Sequence, residues 1–144
     1  RAADAAPIPV PGHFIAETST MIRTVSRWVV AETEPTDRLL VAAPAGVYLY
    51  TGRKTVNAAP SQSDFDRAID RDPGRYLAGR ILEDGVTIVV IMGARAAVAR
   101  GAIELTERCP HVLEPASRAA GGFPAYYRVN PDADCLRGAF PGSM

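Results

Sequence analysis

The chain has 144 residues, 47% of them apolar and 22% charged, and its 16 basic and 16 acidic side chains cancel. That balance excludes a disordered polymer, and a chain of this length buries roughly 70% of the surface it exposes unfolded, enough for a core without metal. Zero net charge gives no global field to collect nucleic acid, which is set aside as a partner.

Residues 1–17 are rich in Ala and Pro, with Pro7, Pro9 and Pro11 alternating, and are expected to form an extended linker. Arg1 in place of Met and the absence of a basic-then-apolar leader make the sequence read as an excised piece. Met21, Ile22, Val25, Trp28 and Val29 then recur at helical spacing, which predicts a helix over 19–32 capped by Thr18 or Ser19 and ended before Pro35. Residues 39–43 read as a buried strand, Gly46 to Tyr50 as a short helix or turn closed by Gly52, and 54–57 as a second brief strand.

From Asp64 to Leu82 apolar and charged residues alternate, and Pro73 with Gly74 interrupts them. The expectation is a two-turn helix, a turn at 72–74 and a second short helix. Residues 86–92 are apolar on both faces, as in a central strand covered on both sides, and fall far short of the ~20 residues of a membrane span. Residues 94–108 read as a helix with Val98, Ala102 and Leu105 on one side, and Pro110 ends it. Two strands, over 111–118 and 125–129, are expected to form an antiparallel hairpin about Gly121 and Gly122 at the sheet edge. The tail 131–144 shows little periodicity. The order of elements predicts an α/β domain over 18–130: a three-layer α/β/α sandwich with a mixed sheet of about five strands, followed by an irregular tail.

Candidate chemistry is sparse. No GxSxG occurs, and His13 and His111 have no patterned serine partner. With Cys109 and Cys135 the two histidines build no zinc-like spacing, so neither a metal nor a cofactor is expected. A nucleophilic Cys109 is disfavoured by its place at a helix C-terminus, which opposes thiolate formation. Gly93 before a helix is one glycine where a phosphate loop needs several, and a tight strand-to-helix turn explains it. The pairs Asp64/Asp66, Asp70/Asp72 and Asp132/Asp134 stand where charge serves solubility, so no catalytic residue is assigned.

One segment has a family likeness. Trp28 near a helix end, Thr33, Pro35 and Asp37 in a turn, the apolar run Leu39 to Val41, Pro44, and then Tyr48, Leu49, Thr51, Gly52 and Arg53 make up its pattern. It resembles the region after the last transmembrane helix of bacterial polytopic glycosyltransferases of the dolichyl-phosphate-mannose protein mannosyltransferase and aminoarabinose transferase type. The likeness spans 28–54, with Glu34 inserted between Thr33 and Pro35. Beyond it only the order of elements agrees, ending in Tyr126, Tyr127, Arg128 and Val129.

The resemblance implies a non-catalytic domain on the extracytoplasmic side of the cell membrane. Its partner would be the membrane-embedded remainder of the same polypeptide, which moves sugar from a polyprenyl-phosphate donor. Trp28, Val47, Tyr48 and Leu49 are read as sealing helix and turn onto the sheet. Tyr50 and Arg53 are the candidates for touching a glycan or the donor phosphate, with a structural salt bridge as the other role for Arg53. A free-standing ligand-binding or interaction module and a small soluble enzyme are the rival classes. Composition leaves Cys109 and Cys135 open between two thiols and one disulfide; an extracytoplasmic placement makes them candidates for each other.

Overall fold

The computed structural model describes residues 11–41, 44–57, 71–93, 97–118 and 122–141. Five strands form one mixed sheet in the order β2-β1-β3-β5-β4. They are β1 (Arg38–Val41), β2 (Lys54–Asn57), β3 (Ile88–Ile91), β4 (Leu113–Arg118) and β5 (Ala125–Val129). The helices are α1 (Pro11–Glu32), α2 (Pro44–Thr51), α3 (Pro73–Asp84), α4 (Ala97–Arg108) and α5 (Ala133–Ala139).

β3 occupies the centre, parallel to β1 and antiparallel to β5, and all four of its residues are buried. Its two-sided apolarity is the reason: side chains alternate across a strand, so burial of every residue requires cover on both faces. Leu39, Val41, Ile88 and Val90 join Val25, Val29, Val47 and Tyr126 in one apolar cluster, which draws on α1 and α2. Leu40, Val89 and Ile91 belong to the other, with Leu77 and Ile81 of α3, Val98 and Leu105 of α4 and Leu136 of α5. The α1 stripe is divided by depth, Val25 and Val29 being fully buried while Met21, Ile22 and Trp28 are partly covered.

Two expectations are corrected and one is narrowed. The first helix begins at Pro11 and not near residue 19, so the segment expected to be linker contains its opening turns. Proline is compatible with a helix start, where its missing N–H has no partner to lose. The break expected over 72–74 is present but confined to Asp72: Arg71 is still helical, Asp72 accepts from the Arg75 N–H at 3.3 Å, and Pro73 already opens the second expected helix, α3, which ends at Gly85 with φ +67°. The helix expected before it lies mostly outside the described residues. Finally, the tail is not irregular. Asp132 caps α5 by accepting from the Cys135 N–H at 3.0 Å, and Leu136 and Phe140 are fully buried in the core.

The hairpin is present, with β4 at the sheet edge and a register shift between Pro115 and Ser117. A cis bond joins Phe123 to Pro124. α3 and α4 approach closely at Gly101, where a Cβ would sit 2.7 Å from the Pro73 carbonyl oxygen, so only glycine fits without a shift. Cys109 at the end of α4 is joined to Cys135 in α5 by a disulfide, with Cα atoms 6.1 Å apart.

Candidate functional site

Part of the 28–54 segment meets at the C-terminal end of α1. The Arg53 guanidinium donates from Nε to Thr33 Oγ1 at 3.2 Å and from Nη2 to the Thr33 carbonyl at 3.1 Å. Its Nη1 donates to the Thr51 carbonyl at 3.2 Å. Arg128 donates to the Glu32 carbonyl at 2.7 Å. Two guanidinium groups thus satisfy carbonyls left open where α1 ends, where the helix dipole also favours cations. Among the described residues Arg53 makes no salt bridge; its three nitrogens donate to carbonyl and hydroxyl oxygens.

The turn that follows is equally bound. The Glu34 N–H donates to the Asp37 carboxylate at 2.7 Å, and Asp37 N–H returns to the Glu34 carbonyl at 2.9 Å. Thr87, just before β3, donates its hydroxyl to Asp37 at 2.8 Å and accepts from the Arg38 N–H at 2.9 Å. Trp28 stacks on Tyr126 of β5 with ring centroids 4.0 Å apart and planes 11° from parallel. Gly52 ends α2 in the left-handed region at φ +69°, donating to the Tyr48 carbonyl at 2.7 Å.

Tyr50 and Arg53, expected together, therefore part company. Arg53 is half-buried in the helix junction, whereas Tyr50 is 60% exposed and borders a pocket of ≈ 460 Å³ on the outer side of α1. Arg23, Ser26, Arg27, Val30 and Ala31 form the rest of its described lining. These α1 positions are spaced i, i+3, i+4, i+7 and i+8 and so share one helix face. Ser26 is buried, with only 5% of its surface exposed, and its Oγ has no hydrogen-bond partner. Sequence reasoning missed Arg23, Ser26 and Arg27, because polar residues outside an apolar stripe ordinarily mark a solvated face.

The remaining candidates are dispersed. His111 pairs with Asp132 at 2.6 Å on the surface. The Asp132 carboxyl is held below its usual range, first by the Cys135 N–H and then by His111. Asp72 pairs with Arg75 at 2.9 Å. Asp64, Asp66 and Asp70 and the loop after Gly93 lie outside the described residues, as does the side chain of His13. Among the described residues no group of three or more His, Cys, Asp or Glu is placed to hold a metal ion, and no helix is long and apolar enough to cross a membrane. A second pocket, of ≈ 360 Å³, lies between α4 and the sheet and is bordered by Ile103, Phe123 and Tyr127.

No protein-family model, curated protein or solved structure matches the chain.

Proposed function

We propose that this chain is a non-catalytic, extracytoplasmic domain of a membrane-embedded glycosyltransferase that uses a polyprenyl-phosphate sugar donor, and that it assists acceptor or glycan binding. The observation that carries this reading is the coherence of the resembling segment. Within it Arg53 is bonded to Thr33, and the segment is tied to the rest of the domain where Asp37 meets Thr87 and Trp28 meets Tyr126 of the final hairpin. A likeness that follows one bonded junction is worth more than the same letters scattered over a surface.

The Cys109–Cys135 disulfide supports the extracytoplasmic placement, because such bonds persist in oxidising compartments and are rare in the cytosol. Tyr50 and the pocket beside it are the surface offered to a glycan. Arg53 leaves that assignment, since its guanidinium is engaged in holding α1 against α2. A second reading, a free-standing binding or interaction module, draws on the pocket beside α4, which leaves Ile103 61% exposed.

The test uses the natural full-length polypeptide in membrane vesicles supplied with a labelled polyprenyl-phosphate sugar. Sugar transfer should fall when this domain is deleted and membrane insertion of the remainder is unchanged. Undiminished transfer would remove the accessory role, and a natural polypeptide without any membrane-spanning part would overturn the whole reading.

A further inference from the structure

The pocket on α1 has a chemistry that the fold does not use. Arg23 and Arg27 stand one turn apart, and neither has an acidic residue three or four positions away in the sequence. Among the described residues neither forms an ion pair or hydrogen bond. Like charges at this spacing oppose helix formation, so the pair costs stability without a compensating contact. Between them Ser26 holds a buried hydroxyl that lacks a partner, a condition native interiors seldom leave unresolved. Beyond Arg27 the lining turns apolar: Val30 is 56% exposed and Tyr50 presents its ring.

The geometry points to a binding site for an organic phosphate ester: an anionic phosphate held between Arg23 and Arg27, hydrogen-bonded to Ser26, with its apolar or ring portion against Val30 and Tyr50. A guanidinium pair matches the oxygens of a phosphate, and ligand oxygen would give Ser26 the partner it lacks. A cavity of ≈ 460 Å³ lies within the range of small-molecule sites, and a few polar groups among apolar walls is their usual make-up. The zero net charge of the chain does not oppose this, because the attraction is local. A soluble ester and the headgroup of an anionic lipid offer the same chemistry.

The proposal stands on the α1–α2 face and does not rest on the glycosyltransferase reading. Its test is titration of the purified chain with phenyl phosphate by calorimetry, with inorganic phosphate alongside, and sedimentation with phosphatidylcholine vesicles with and without phosphatidic acid. Saturable binding of phenyl phosphate, tighter than that of inorganic phosphate, identifies a soluble ester as a ligand. Sedimentation that requires phosphatidic acid, without binding of the soluble ester, identifies the lipid headgroup. In either case Arg23→Gln and Arg27→Gln should each weaken binding roughly tenfold, as loss of a charged hydrogen bond does. Ser26→Ala and Tyr50→Leu should weaken it less, and Arg75→Gln on α3, at the other face of the sheet, should not. Binding in neither arm, equal affinity for inorganic phosphate, or an equal effect of Arg75→Gln would overturn the site. Because no membrane enzyme is involved, such a failure leaves the domain-deletion experiment to judge the accessory role by itself.

Discussion

Trp28 and Tyr126 stack with their ring centroids 4.0 Å apart, bringing the first helix of the chain onto the strand that enters the sheet last. The pair lies over the face formed by Leu39, Val41, Ile88 and Val90, with Val25 and Val29 beside it. Because Trp28 is partly covered, Trp28→Ala should cost about 2–3 kcal/mol, below the ~3–5 kcal/mol of a fully enclosed aromatic. Urea unfolding of the variant, with an unchanged slope and a lowered midpoint, checks this. An unchanged midpoint would mean that the ring serves a surface outside the domain.

The same stack governs behaviour in alkali. Burial pushes the Tyr126 phenol up to about 12 from an ordinary value of 10.0, since the phenolate is the form that burial penalises. A raised folded pKa stabilises the fold in full below the unfolded value, and that contribution declines as pH climbs from about 10 to about 12. Tyr126→Phe removes the titrating group, so its stability should fall less steeply across this window. Ultraviolet titration should show one tyrosine ionising late, and denaturation at several alkaline pH values supplies the slope.

Arg53 is a structural residue by its contacts, and its replacement separates that role from ligand binding. Arg53→Ala opens the Thr33 and Thr51 carbonyls at the ends of α1 and α2 and should cost about 1–2 kcal/mol, toward the lower part of the range for charged hydrogen bonds because the site is only half-buried. Phenyl phosphate affinity should be unchanged in the folded variant. A tenfold loss of affinity with full stability would return Arg53 to the binding surface.

The elements legible in the sequence were those whose burial is written in their own residues. Residues 88–91 are apolar on both faces and form the central strand, and Gly52 closes α2 where a positive φ is required. The helix starts at Pro11 and Pro73 were obscured because proline signals both a break and a first turn; at Pro73 the preceding Asp72 carried the distinction. α5 has seven residues, too few for periodicity to register, although Asp132 ahead of it is a helix-capping type. Tyr50 was singled out by its chemistry, and the structure places it at the edge of the pocket beside α1. Its pairing with Arg53 failed because neighbours in sequence at a helix end point to different surroundings. Arg23 and Arg27 were passed over because only the fold shows that a pocket separates them from ordinary surface charge.

The disulfide decides how the end of the chain is held. Cys109 follows the last turn of α4 and Cys135 lies in α5, so the bond spans the hairpin and closes a separation of 26 residues. Closure of a loop that size restricts the unfolded chain and is worth about 3–4 kcal/mol before any native strain. α5 has other anchors: Leu136 and Phe140 are buried, the Arg108 guanidinium lies 4.9 Å from the Phe140 ring centre, and Asp132 caps the first turn while paired with His111. Reduction should therefore lower the unfolding midpoint while leaving α5 docked at neutral pH. Acid should then undo it. The Asp132 carboxyl is depressed in the fold, so its contribution is present above the unfolded carboxylate pKa of about 3.9 and is lost as pH falls through the folded value. Cys135→Ser should accordingly destabilise the chain at pH 7 and expose the amides of α5 to hydrogen exchange first as the pH is lowered. Exchange in α5 as slow as in β3 in the acid-treated variant would show that the buried Leu136 and Phe140 hold the helix without help from either the bond or the cap.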